Sequence, residues 1–230
     1  MKFGMALIAI AAGSAFADVS VSNYDDLAEA FYGTEFHYNG VTYKNVNNQA
    51  GVFPDGSTFE AGDGIEGLGT QVIVENAGFL YNDFPGWGSA NNALTFGTSF
   101  IPGDNLTIGA LSTVTMELDS LADFASVEIA YYENGPWGGI EYHLDAMSSG
   151  TVVASDSFSI SDLGGRDNIA FRTLSVDGAT FDSLHLYATF NGSFSGPRAL
   201  LDNLTINSVP APSGALALVG LAGFAGRRRR

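Results

Sequence analysis

The sequence predicts an all-β protein, a two-sheet jelly-roll-like sandwich, with an N-terminal signal helix ahead of it and a C-terminal apolar helix behind it. Three observations predict this class. Runs of β-branched and aromatic residues of strand length recur along the chain, separated by Gly, Asn and Ser turns. Within the runs, apolar and polar residues alternate with the period of a half-buried strand. Helix-length periodicity is nearly absent, and no internal repeat points to a solenoid or propeller.

The elements follow in order. Tyr24 to Phe31 is the one helical signal, because Leu27 and Phe31 stand four apart and predict a short amphipathic turn of helix. EFHYNGVTYKNV places Asn39-Gly40 between two β-prone runs, the strongest short hairpin signal. QVIVENAG, NALTFG, LTIGALSTVTMELDS and SVEIAYYENG read as further strands. GIEYHLDAMSSGTVVASDSFSI and FRTLSVDGATFDSLHLYATFNG cluster β-formers around internal turns, and RALLDNLTINSV is the last strand. Alternation then assigns faces. Val127, Ile129 and Tyr131 point one way; Leu184 and Leu186 oppose His185 and Tyr187; Glu141, His143 and Asp145 oppose Tyr142 and Leu144.

The two ends carry addresses. MKFGMALIAIAAGSAFA has a basic Lys2, a short apolar run and an A-x-A site, so residues 1–17 read as a signal peptide cut by signal peptidase between Ala17 and Asp18. Its apolar run is shorter than the roughly 20 residues that a membrane-spanning helix needs. Residues 209–230, VPAPSGALALVGLAGFAGRRRR, hold Pro210, Pro212, an uncharged Gly/Ala/Leu run and then Arg227, Arg228, Arg229 and Arg230. That run approaches the lower limit of about 17 residues for crossing a bilayer, with the arginines kept on the cytoplasmic side. A plain tail anchor is one reading of it.

The order Pro-x-Pro, apolar helix, Arg cluster resembles the PEP-CTERM sorting signal of bacterial exported proteins. The resemblance implies transient membrane insertion, cutting near the Pro motif by an exosortase-type sorting enzyme, and delivery to the cell surface or extracellular matrix. Ala211 stands where the family's name has Glu. Residues 18–208 are similar, more loosely and mainly over 110–207, to the exported β-sandwich domains that precede such tails. Leu201-Asp202-Asn203-Leu204-Thr205-Ile206 matches the element that ends those domains. Related jelly-roll folds include galactose-binding-like and other carbohydrate-binding modules.

Composition bounds the function. All 25 acidic residues lie between the two signals, against Lys44, Arg166, Arg172 and Arg198, so the mature domain carries 4 − 25 = −21. Such a surface repels nucleic acid, favours solubility and attracts divalent cations in a general way. With no cysteine, there is no disulfide. Stability rests on a core, which one domain of this length is large enough to bury.

No catalytic residue is assigned. A cysteine nucleophile is excluded, His37, His143 and His185 fall on different strands, and no G-x-S-x-G, H-E-x-x-H or P-loop motif occurs. Carboxylate pairs suited to glycoside hydrolysis are too plentiful to be a signal. Glu141, His143 and Asp145 on one strand face suit a metal or a proton, and equally the polar outer face of a sandwich strand. Trp87 in NDFPGWGSANN, and Tyr131, Tyr132 and Trp137 in YYENGPWGG, suit stacking on sugar rings or plugging the ends of the core. No cofactor is required. Asp63, Glu66 and Asp202 are candidates for a structural calcium ion, without the order of an EF-hand loop.

The expected protein is therefore an exported, exosortase-sorted surface or matrix protein with a non-catalytic structural or interaction sandwich. The alternative is a carbohydrate-binding module holding extracellular polysaccharide through Trp87, Tyr131, Tyr132 or Trp137. A glycoside-active enzyme stands third.

Overall fold

The computed structural model describes residues 17–44, 50–52, 56, 58–59, 72–77, 88–89, 91–96, 113–131, 139–160, 170–195 and 199–210. The predicted signal helix, the C-terminal apolar helix, Pro212 and Arg227 to Arg230 lie outside these residues. Among the described residues no helix is long and apolar enough to cross a membrane.

The described chain is all-β and antiparallel. Its spine is two long strands, β9 (Val114–Tyr131) and β12 (Ala170–Phe190), paired along most of their length. Strands usually run about 3–10 residues. At 18 and 21 residues, these two pass through two half-sheets in succession. In the first half, residues 183–190 of β12 pair with β10 (Ile140–Ser148), and β10 pairs with β11 (Thr151–Ile160). On the other side, residues 115–118 of β9 pair with β4 (Val41–Lys44), which pairs with β3 (Glu35–Tyr38). In the second half, β9 pairs with β14 (Ala199–Ser208), followed by β8 (Asn92–Phe96), β7 (Ile73–Asn76) and β2 (Ala30–Phe31). Strand β1 (Asp18–Ser22) lies along residues 204–208 of β14. The short β13 (Ser193–Ser195) pairs back on β12, and β5 (Gly51–Val52) pairs with β6 (Thr58–Phe59).

Between the halves the β9–β12 register shifts on either side of Phe181, and Gly178 takes φ +80°. Gly pays no Cβ penalty there, which lets one strand turn from one half-sheet into the next. The two halves share one hydrophobic core. Tyr43, Met116, Tyr142, Leu144 and Leu184 from the first meet Leu94, Val127, Ile129, Leu174 and Leu204 from the second. The open edges are also stitched, because the Asp156 carboxylate on β11 accepts the Ser175 N–H on β12 at 2.8 Å. A donor on an outer strand is thereby occupied.

The predicted hairpin forms, with Asn39 at φ +49° and Gly40 at φ +79°, the pair of positive angles that a two-residue type I′ turn requires. Ser149-Gly150 and Asn191-Gly192 turn the same way. Two expectations are corrected. LTIGALSTVTMELDS and SVEIAYYENG are not separate strands, since Val114 to Tyr131 is continuous. Nor does Tyr24 to Phe31 form a helix. Asp25 and Asp26 form a turn closed by the Leu27 N–H on the Tyr24 carbonyl, 3.1 Å, and Ala30–Phe31 is a strand with Phe31 62% exposed. Cross-strand demands on the turn outweigh the i, i+4 spacing: Asp25 accepts the Asn92 N–H, and Asp26 accepts the Tyr38 hydroxyl at 2.6 Å.

That turn covers an aromatic corner where the fully buried Tyr24 and Tyr43 hydroxyls lie 2.9 Å apart. Burial pushes Tyr43 up to about 12 and holds Tyr24 well above its ordinary value. Their mutual hydrogen bond adds to the rise at Tyr24 and offsets part of it at Tyr43. Raised phenol values in the fold mean that stability is complete below pH 10 and is lost as pH rises toward 12. For Tyr43 alone, the loss is about 3 kcal/mol. Melting temperatures between pH 9 and 12 are expected to fall steeply above pH 10; a flat profile to pH 12 would contradict the buried pair.

Candidate functional site

The site begins with alternation. On β10 the residues Ile140, Tyr142, Leu144 and Ala146 are buried, so Glu141, His143 and Asp145 share the opposite, outer face, as their spacing predicts. Antiparallel pairing then sets Glu141 opposite Thr189, His143 opposite Tyr187 and Asp145 opposite His185. The buried Leu184 and Leu186 send His185 and Tyr187 outward in the same way.

The side chains engage one another. The His143 and Tyr187 rings stack at 4.8 Å with planes 13° apart, and His185 stacks on Tyr187 at 4.8 Å and 28°. His143 Nε2 lies 3.0 Å from Thr189 Oγ1. From β11, the Ser157 hydroxyl donates to Glu141 and the Ser155 hydroxyl to Asp145, each at 2.7 Å. Burial, then the Asp145 and Glu141 carboxylates, push the Tyr187 phenol up to about 12. Burial also lowers His185 and so favours its neutral imidazole, against the opposing pull of the Asp145 carboxylate. Among the described residues its Nε2 is buried without a hydrogen-bond partner, as is Thr113 Oγ1 beside the start of β9. This is an electronegative face whose rings are locked together. Among the described residues, no group of three acidic or histidine side chains is arranged to hold a metal ion.

A second constellation sits at the other half-sheet. Asp202 is fully buried, and its carboxylate accepts the Ser89 N–H at 2.7 Å, the Ser89 hydroxyl at 3.1 Å and the Asn203 N–H at 2.7 Å. Glu128 accepts the Gly88 N–H at 2.7 Å and the Asn203 side-chain amide at 3.2 Å. Asp25 accepts the Ser89 hydroxyl at 3.0 Å. Asn203 itself takes φ +47° where β14 breaks register against β9. Of the three calcium candidates, Asp202 is thus engaged in anchoring the Gly88-Ser89 segment. Asp63 and Glu66 lie outside the described residues.

Trp87, Tyr132 and Trp137 also lie outside them, and Tyr131 is placed only through its backbone, opposite Ala170 and Ala199. Trp87 directly precedes the anchored Gly88 in the chain. Sequence reading missed Asp25, Ser89, Glu128 and Asn203, whose partners lie 40 or more residues away except for the bonds of Asn203 to its near neighbours Asp202 and Thr205. It placed His185 and Tyr187 on the face opposite Leu184 and Leu186, without the cross-strand register that brings them to His143.

No known protein family matches the chain, and no curated protein does. Among solved structures, it is similar to the K2 cleaved adhesin domain of Lys-gingipain, at 14% identity and a TM-score of 0.45, over 82% of this chain and 97% of that one. It is similar to CBM27-1 of Caldicellulosiruptor saccharolyticus, solved with mannohexaose, at 14% identity and 0.44, over 84% and 99%. The K1 adhesin domain of Lys-gingipain from Porphyromonas gingivalis W83 follows at 14% and 0.41, over 79% and 98%. At TM-scores below 0.5, the fold is read from the chain's own strand pairing.

Proposed function

We propose that the chain is an exported, non-catalytic interaction domain with a jelly-roll-like sandwich, released to the cell surface or extracellular matrix by signal peptidase and an exosortase-type enzyme. One observation carries the reading. Strand β1 begins at Asp18, directly behind the A-x-A site, and Asp18 pairs with Ser208, two residues ahead of the Pro210-Ala211-Pro212 motif. Among the described residues, the start of β1 and the end of β14 thus lie side by side, next to the two expected processing points. Val209 is still held, its N–H donating to the Leu121 carbonyl at 2.7 Å. Cutting at both signals would leave the β1–β14 pairing and the described core residues in place.

The intact mass of the protein from its native cells, fraction by fraction, tests this. The expected product starts at Asp18, lacks the residues beyond Pro210 to Pro212 and appears outside the membrane. A membrane product that keeps Arg227 to Arg230 would replace sorting with a retained tether.

The carbohydrate-binding reading has its own support. Glu128 and Asp202 fix the backbone that follows Trp87, so a ring carried on that loop would have a rigid base.

A further inference from the structure

We propose that Val19, Val21 and Leu121 form a lipid-contacting face, which lies against a zwitterionic bilayer surface while the C-terminal tail tethers the domain. The inference rests on the reading of residues 209–230 as a tail that inserts in the membrane, and it assigns an interaction surface to the folded domain itself.

Strand β1 is built inside out. Ser20 and Ser22 pair with the buried Ile206 and Leu204 and take the core side, so Val19 and Val21 face outward, 60% and 51% exposed. The face continues across the sheet. Val19 lies opposite Asn207, whose side-chain amide donates to Asp123 on β9 at 2.7 Å. Ala122 is buried, so Leu121 shares the outward side with Asp123 and is 51% exposed. Leu121 also marks where the chain leaves the domain, since its carbonyl accepts the Val209 N–H at 2.7 Å. Single exposed apolar side chains are ordinary. Three gathered on one face, at the root of an apolar tail, need a partner.

Distance, size and charge select lipid. Only Pro210 to Ser213 separate Val209 from the Gly/Ala/Leu run that begins at Gly214. Fully extended, these residues reach about 14 Å. A tail entering the bilayer therefore keeps Val209, and the Leu121 that holds it, within that distance of the lipid, at a high effective concentration. A stable protein interface buries about 1,000 Å² or more around an aromatic or arginine centre, which three aliphatic side chains do not supply. Lipid contact needs no shape-matched partner. A second copy would set one domain of charge −21 against another. Asp18, Asp119 and Asp123 are exposed around the face and repel anionic headgroups, so the surface that fits is zwitterionic.

The chain has no cysteine, so one introduced thiol carries one fluorophore. The test places the full chain, tail included, in phosphatidylcholine vesicles with or without doxyl-labelled phosphatidylcholine, and flotation reports insertion of the tail. Labels on Val21→Cys and Leu121→Cys are expected to dim about two-fold with the doxyl lipid, as for side chains held roughly 5–10 Å into the interface. A label on Ser155→Cys, exposed on β11 in the other half-sheet, should stay bright. Adding Val19→Asp/Val21→Asp to Leu121→Cys should abolish the dimming while flotation and melting temperature are kept. Floating chains whose Leu121 label stays bright would overturn this proposal alone and leave the tail reading intact. Chains that do not float would overturn both. Equal dimming at Ser155 would reduce the contact to general proximity. Shielding of the Leu121 label before vesicles are added would give the face to the tail itself or to a second copy. Either of these last two results also overturns lipid contact.

Discussion

Phe181→Ala is expected to destabilise the protein by about 3–5 kcal/mol, the range for deleting a fully buried phenylalanine. Phe181 is fully buried in the shared core and faces Ala122 between two register shifts. It therefore fills the interior at the place where β12 leaves one half-sheet for the other. The cavity would open beneath the bend, where the β9–β12 ladder is interrupted on both sides. In a domain of this size, the loss corresponds to a fall of roughly 10 °C in melting temperature. Urea unfolding of Phe181→Ala beside Phe181→Leu measures it directly. Leucine should recover more than half of the loss; a cost under about 1 kcal/mol for alanine would mean that the bend does not depend on this ring.

Asp202→Ala is expected to cost about 3 kcal/mol, because one buried carboxylate satisfies the N–H groups of Ser89 and Asn203 and the Ser89 hydroxyl together. Asp202→Asn should cost less, since it keeps one acceptor oxygen but turns an amide N–H₂ toward a donor. The local signature separates this from general destabilisation. Hydrogen exchange at Ser89 and Asn203 should rise far more than at Tyr142 or Leu144, in the centre of the other half-sheet. Equal protection at all four amides would show that the segment is held without Asp202. The same variant bears on the carbohydrate-binding reading, since loss of the anchor behind Trp87 should weaken any glycan contact made by that loop.

The candidate site was legible to different degrees. Glu141, His143 and Asp145 were placed on one face from spacing alone, because side chains alternate along any strand whatever it pairs with. The same rule put His185 and Tyr187 opposite Leu184 and Leu186. Their meeting with His143 required the β10–β12 register, which depends on pairing between residues about 40 positions apart. Asp202 was singled out for its charge and its place in the final strand, yet its work was invisible. The donors at Ser89 lie 113 residues upstream in an unremarkable Gly-Ser step.

What the sequence determined by itself was local: strand periodicity, the Asn39-Gly40 turn, the faces of β10 and β12, and the expectation of two export signals flanking one acidic domain. These follow from properties of a few adjacent residues. Tertiary structure alone decided that Val114 to Tyr131 and Ala170 to Phe190 run unbroken through two half-sheets, and that Tyr24 to Phe31 is a turn and strand. It also decided that Asp18 pairs with Ser208. In each case, burial and backbone hydrogen bonding to distant strands outweigh the weaker local preference, since an unpaired buried donor costs more than a propensity gains.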